Sequence, residues 1–489
     1  MTPRDSGAPV AANFVGHPVA VGTLLAADAS LEWFADEVVA GGSPWRMVKL
    51  TPHGAQVLAR WAAGDPVDED PAERALARRL VDTGLWHPVT TPRAPVDGEL
   101  DVVIPVRDNA DGVAALLDSL GPLGAVLVTV VDDGSNDAAG VARVAAAHGA
   151  RLVRRERPGG PAAARNDGLA ATSAPLVAFL DADVLAGPDV LASLIAQFDD
   201  PCVAAAAPRV RGPQAVGSAG SPRVRFEGAA SPLDLGPRRC VVRPGAAVPY
   251  VPSAALLVRR TAVGRGFDEQ LRVGEDVDLV WRLATEGWLV RYQPEVVVTH
   301  EVRTTWGGWL AQRFSYGRSA AILEARHGDA AAPLRADPRV LATVGLVLAG
   351  RPRAAAGVLA WSAATLGRRL GEAGIAIDES AARRLALRGT VLAAPGLVRG
   401  AFRTYGPLAI AAAVAVSPLR RPVAALAVSA TALRWWQAGR PPHGVEFAAV
   451  SLVDDLAYGV GVLDGAVRAR RVGALVPRLR PTARRVSRT

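Results

Sequence analysis

Asp181 and Asp183 stand one residue apart, directly after the run Leu176-Val177-Ala178-Phe179-Leu180. Five apolar residues with β-branched and aromatic members predict a strand buried on both faces, the pattern of a parallel sheet. In an open α/β sheet, ligands bind beyond the carboxyl ends of the strands, so two acids at that place face a ligand. Their oxygens suit a hard divalent cation that bridges phosphates and keeps several waters, which makes this a metal–diphosphate site. A solvated turn leading into a helix is the competing account. It explains Asp189 after Gly187-Pro188 well and the two earlier acids poorly.

Asp132 and Asp133 end a second apolar strand, VLVTVV, and Gly134-Ser135-Asn136 then turns tightly enough for a ligand to approach the backbone. A carboxylate there accepts from a base N–H or a ribose hydroxyl. Between the two acid pairs lies RPGGPAAARNDGLAAT, residues 157–172, a Gly/Pro loop in which Arg165 opens a helix whose N-terminal N–H groups favour anions. That makes Arg165 a diphosphate or base contact, with pairing to Asp167 or to the helix end as the alternative. Glu275 and Asp276 follow Gly274 at the start of another helix, whose buried side is Leu279, Trp281, Leu283 and Ala284. Acids in a first turn also serve as dipole partners, and Glu275 and Asp278 fit that role too. His300 ends the strand VRYQPEVVVTH, a position suited to a metal or phosphate.

Taken in order, IPVRDN, VVDDGSND, GGPAAARNDGL, FLDADV, GFDE with GEDVDLVWRL, and PEVVVTHE resemble family 2 glycosyltransferases, inverting enzymes with a GT-A fold, over residues 101 to about 318. The resemblance implies a UDP-sugar donor bound by Pro105, Arg107, Asp132, Asp133, Arg165 and Asp181, with the uridine on Asp132 and Asp133. It also implies Mg2+ or Mn2+ on Asp183, with Asp181 at ribose or metal, and Asp276 as general base with Glu275 beside it; His300, from its place at the strand end, is the further metal candidate. Arg107 departs from the pattern, since many relatives carry an aromatic there. Gln312 and Arg313 in WLAQRFSYG are similar in part to the QxxRW signature of processive relatives.

Strands and helices alternate from Glu99 to about residue 330, which predicts an α/β, GT-A Rossmann-like, mostly parallel sheet. Before it, residues 1–95 hold a small winged-helix-like unit: a strand over residues 45–50, a helix begun by Thr51-Pro52 and a second helix from Ala72 to Asp82. Such units clamp peptides; a generic helical appendage is the alternative. After it, residues 331–489 turn rich in Ala, Val, Leu, Arg and Pro and predict a helical region. This three-part layout is similar to that of actinobacterial glycosyltransferases that add glucose from UDP-glucose to a peptide-derived redox cofactor. Lipid-carrier or cell-wall glycan acceptors are the rival reading within enzymes. A non-catalytic membrane scaffold is the rival outside them.

At 489 residues the chain exceeds one compact core. Half of it is hydrophobic, mean hydropathy is +0.19, and the net charge of +8 is carried by arginine, with Lys49 the sole lysine. A basic C-terminal end suits anionic lipid or phosphate, whereas the aromatics needed for base stacking are missing there, which disfavours nucleic acid. Its apolar stretches are shorter than the ~20 residues of a spanning helix, so attachment at the inner face of the cell membrane, peripheral or single-pass, is expected. Two cysteines, Cys202 and Cys240, make no disulfide framework, and the N-terminus lacks an export pattern; both fit a cytoplasmic protein.

Overall fold

A computed structural model describes residues 16–124, 126–213, 220–302, 305–372, 374–375, 378–479 and 487–488. The first 15 residues, part of the segment read for export, and the basic residues 480–486 lie outside these.

Chain order gives β1 (Leu25–Ala27), β2 (Glu32–Ala35), β3 (Val38–Gly41), β4 (Arg46–Lys49), α1 (Pro52–Ala63), α2 (Pro71–Asp82) and β5 (Trp86–Pro88). The strand and both helices expected between residues 45 and 82 are present. Thr51 caps α1 by accepting from Gly54 N–H and Asp70 caps α2 by accepting from Ala72 N–H, each just ahead of a proline in the first turn. Strands β2, β3 and β4 pair antiparallel, with β2 on an edge.

There follow β6 (Leu100–Val106), α3 (Ala110–Leu120), β7 (Leu127–Asp132), α4 (Ala138–Ala147), β8 (Arg151–Arg154), α5 (Pro161–Ala171), β9 (Leu176–Leu180), β10 (Val184–Ala186) and α6 (Asp189–Ile195). Next come β11 (Val203–Arg211), α7 (Pro222–Ala230), β12 (Cys240–Val241), β13 (Ala255–Arg259), α8 (Arg260–Val263), α9 (Glu275–Thr285) and β14 (Leu289–His300). The main sheet has nine strands in the order β10-β14-β11-β13-β9-β6-β7-β8, with β12 on β14. β6 is parallel to β7 and β9, β7 to β8, and β11 to β14; β13 runs against both of its neighbours, and short β10 and β12 run against β14. Six strands therefore share one direction. Because β13 is reversed, its beginning meets the same sheet edge as the ends of β6, β7, β9 and β14.

By compactness the chain falls into two units, the first comprising residues 1–213, 231–301 and 487–489, the second residues 214–230 and 302–486. In the first unit one hydrophobic core runs without a break across residue 95. It joins Leu58, Trp61, Leu80 and Trp86 to Leu100, Val102, Leu191 and Val203. Arg78 adds a forked ion pair, both oxygens of Asp200 lying 3.0 Å from its Nη1.

The second unit is helical: α7, then α10 (Trp306–His327), α11 (Pro338–Leu348), α12 (Pro352–Glu372), α13 (Glu379–Ala415), α14 (Arg420–Gln437) and α15 (Gly444–Ala469). These helices outrun the short apolar stretches seen in the sequence, because arginine is itself a good helix former. Pro395 and Pro407 sit inside α13. No described helix is long and apolar enough to cross a membrane. A buried ionic group ties the unit together: Arg313 donates to Glu227 and, at 2.6 Å, to Asp454, while Arg434 donates to Asp454 at 2.7 Å. Burial works to raise Asp454, but Arg434, Arg403 and Arg313 overcome it and hold the acid down to about 2. Gly461 and Gly465 of α15 leave no room for a Cβ against α10, where it would lie 2.0 Å from the Phe314 carbonyl and 2.5 Å from that of Arg318. Arg313, matched in part to the QxxRW signature of processive relatives, is thus locked into helix packing.

Candidate active site

The acids at the edge of the main sheet arrive there by strand direction. Asp181 and Asp183 follow β9, Asp132 ends β7 with Asp133 next to it, and His300 ends β14. Ser253 lies just before reversed β13, where the Ala254 carbonyl accepts from Asp181 N–H at 2.9 Å. Two close contacts set the Asp-Ala-Asp turn. Asn109 caps α3 and donates to the Ala182 carbonyl at 3.3 Å, and Gly112 packs so tightly that a Cβ there would lie 2.2 Å from the same oxygen.

Arg165 is the hub. It is 3% exposed, and its Nη2 donates to Asp181 at 2.6 Å while Nη1 donates to Glu275 at 2.9 Å. Its guanidinium lies 5.4 Å from the centre of the Phe267 ring. The sequence predicts Arg165 at a helix N-terminus, as a diphosphate or base contact. Helix α5 instead begins at Pro161, after Gly160 at φ +92°, so Arg165 sits in its second turn and faces two carboxylates. Asp167, the alternative partner, pairs with Arg155.

Gly274, at φ +87°, turns the chain into α9 and delivers Glu275 and Asp276 in the first turn. Asp276 accepts from Ser253 N–H at 3.3 Å and from Val277 N–H at 2.8 Å. Burial, reinforced by Asp276, pushes Glu275 up to about 7 against the pull of Arg165. Burial raises Asp276 as well, opposed by its backbone donors and Arg165. Adjacent raised carboxylates share their protons, and the pair titrates as a unit. Dipole stabilisation alone, the other reading for Glu275, does not account for its contact with Arg165.

Asp183 Oδ1 lies 3.4 Å from His300 Nε2, an approach fixed by the antiparallel register that sets Val184 opposite His300. Both side chains are partly exposed. The described residues contain no group of three or more His, Cys, Asp and Glu able to hold a metal. A carboxylate and an imidazole nevertheless fit Mg2+ or Mn2+, which take few protein ligands and fill their shell with phosphate oxygens and water.

Asp132 has no exposed surface; Ser135 N–H donates to it at 2.8 Å and Arg154 donates to its other oxygen. Asp133 accepts from Gly159 and Gly160 N–H, each at 2.7 Å, and so pins the loop that leads to α5. Pro105 lies in β6, opposite Val131 of β7, and Arg107 is half-exposed, 3.7 Å from Asp108. The edge therefore brings together Arg165, Asp181, Glu275 and Asp276, with Asp183 and His300 as a second pair. Asp132 and Asp133 brace the turn and the loop. Three contributors escaped the sequence reading. Ser253 carries no motif; Phe267 lies in the GFDE motif but nothing there marks it as a partner of Arg165; Arg154 is fixed by the register that sets it beside Asp132.

A family model described as "Glycosyl transferase family 2" matches residues 101–264. The pre-mycofactocin glycosyltransferase of Mycobacterium tuberculosis is 38% identical over 452 residues, covering 90% of this chain and 94% of the relative. Glucosyl-3-phosphoglycerate synthase of Mycolicibacterium paratuberculosis is 34% identical over 144 residues, 27% of this chain and 43% of the relative. Among solved structures, a mannosyltransferase from Pyrobaculum calidifontis is 20% identical, covers 71% of this chain and 90% of its own, and has a TM-score of 0.37. With a relative matched along nearly its whole length, the chain belongs to glycosyl transferase family 2 and is a glycosyltransferase.

Proposed function

We propose that the enzyme transfers glucose from UDP-glucose, with inversion, onto a peptide-derived acceptor of the pre-mycofactocin kind. The observation that carries the chemistry is Asp276, held by two backbone N–H donors at the N-terminus of α9 beside Glu275 and Arg165. A base so fixed removes the acceptor hydroxyl proton as the oxygen attacks the anomeric carbon from the face opposite the leaving diphosphate. Arg165 keeps Asp181 and Glu275 in place through its two donated bonds and acts as a positioning residue. Asp183 and His300 would hold Mg2+ or Mn2+, which when bound neutralises charge on the departing diphosphate. One base suffices for a single displacement, and no covalent intermediate is required.

The acceptor reading rests on the whole-length likeness to the mycobacterial relative and on the small N-terminal sheet. An open, shallow groove of about 550 Å3 lies between β2 and α1, lined by Trp33, Phe34, Asp36, Gln56 and Ala59. Among the described residues β2 pairs with β3 alone, so its outer edge offers backbone groups to an extended peptide. The assay is mass spectrometry and NMR of products formed from UDP-glucose and the pre-mycofactocin acceptor. A product one hexose heavier with a β-linkage is expected, and Asp276→Asn should lower kcat by ~10²-fold or more while nucleotide binding persists. An α-linked product would refute inversion. Failure with this acceptor beside turnover on a polyprenyl phosphate or glycan would replace it with the lipid or cell-wall reading.

A further inference from the structure

The stretch from residue 380 to residue 445 contains no aspartate or glutamate, yet it carries Arg383, Arg384, Arg388, Arg399, Arg403, Arg420, Arg421, Arg434 and Arg440. It forms most of α13 and all of α14, which pack side by side through Val398, Phe402 and Ala430. The two helices meet in a one-turn corner, Ser417–Leu419, where Val416 N–H donates to the Ala412 carbonyl at 2.8 Å and Leu419 N–H to the Val416 carbonyl at 3.0 Å. Arg420 Nε donates to the Ala413 carbonyl at 3.2 Å and braces the same corner. The tip is thus held by its own backbone and needs no partner to form.

What it presents to solvent is apolar. Val414 is 73% exposed, Val416 47% and Leu419 39%, and Leu408, on the same helix, is 49% exposed. Every residue from Val414 to Pro422 is exposed, so the valines, Leu419, Arg420 and Arg421 are all on the surface together. Large apolar side chains rimmed by arginine, without a carboxylate in that stretch, match a surface that is hydrocarbon underneath and anionic on top. An acidic protein would meet the arginines but leave the valines in contact with charge.

We propose that the corner between α13 and α14 is a peripheral docking tip for an anionic lipid bilayer, in which Val414, Val416 and Leu419 enter the interface and Arg420 and Arg421 meet lipid phosphate. The tip inserts shallowly, consistent with the lack of any described spanning helix. The inference concerns the second unit alone and stands whether or not the acceptor reading holds.

The test is co-sedimentation of the full chain with vesicles of phosphatidylcholine alone or mixed with phosphatidylglycerol and cardiolipin. Binding to the anionic vesicles and not to the neutral ones is expected. Val416→Asp with Leu419→Asp, and separately Arg420→Glu with Arg421→Glu, should each lower partitioning by about tenfold or more, since each arginine at such a surface contributes about fivefold and the two together more than tenfold. All four residues are exposed, and the corner keeps its two backbone bonds when the Arg420 brace is removed, so glucosyl transfer to a water-soluble acceptor should stay at wild-type levels and the melting temperature should fall at most slightly. Equal binding by wild type and both variants, or no binding to anionic vesicles, overturns the proposal. So does a wild-type dimer in sedimentation that the same substitutions dissociate without any lipid effect, which would make the tip a contact between copies.

Discussion

Glu275 shows how much a single side chain decides here. Its carboxyl is raised from the ordinary range to about 7 in the fold, and an unfolded chain releases that proton near 4.5. The folded state therefore holds the extra proton between those values, so this residue's contribution to stability is present below about pH 4.5 and is lost as pH rises through 7. Glu275→Gln should flatten the pH dependence of the melting temperature over that window. It should also move the acid limb of the kcat/KM profile to lower pH, because Asp276 loses a charged neighbour and gains a larger share of Arg165. An unmoved limb would mean that Asp276 titrates independently of Glu275. Arg165→Met should cost about 3 kcal/mol by taking the arginine partner from buried Glu275 and from half-buried Asp181, read by denaturant unfolding, with Arg165→Lys recovering only part of it. In the sequence the types and order of these acids were legible, since each follows an apolar strand or a glycine. The partner of Arg165 was not, because Glu275 lies 110 residues away and only the fold brings the two within 2.9 Å.

At the level of elements, the Asp-Ala-Asp turn depends on a helix that contributes no catalytic group. Gly112→Ala places a methyl 2.2 Å from the Ala182 carbonyl and should push α3 off the turn. The expected cost is about 1–3 kcal/mol in stability, accompanied by a larger fall in kcat/KM than in nucleotide affinity. Urea titration beside steady-state kinetics would separate the two. The apolar runs predicted β7, β9 and β14, and Thr51-Pro52 predicted the start of α1, because both signals are local. The reversed direction of β13 left no such trace: Ala255-Leu256-Leu257-Val258 reads alike in a parallel or an antiparallel place. Only that reversal explains how Ser253, at the start of a strand, meets residues at the ends of others.

For the whole molecule, the small N-terminal unit and the transferase sheet share one hydrophobic core, and this changes how the acceptor reading must be tested. Deleting residues 1–95 would strip Trp61, Leu80 and Trp86 from that core and is expected to yield insoluble protein with no separable acceptor effect. Trp33→Ala, on the exposed side of β2, is the better probe: KM for a peptide-derived acceptor should rise, while slow hydrolysis of UDP-glucose continues unchanged. An unchanged KM would remove the peptide-clamp role. Composition foretold a helical, arginine-rich end, but its long helices and buried Arg313–Asp454–Arg434 group were hidden, since no periodicity marks partners 141 residues apart. One last feature turns the sheet into its own reporter. Cys202 and Cys240 are both buried, flanking strands β11 and β14, and burial raises both thiols, Cys240 up to about 11. The native chain should therefore be nearly inert to alkylating reagents, and any labelling that does occur would time the transient opening of this half of the sheet. Nucleotide-sugar with Mg2+ or Mn2+ should slow that clock.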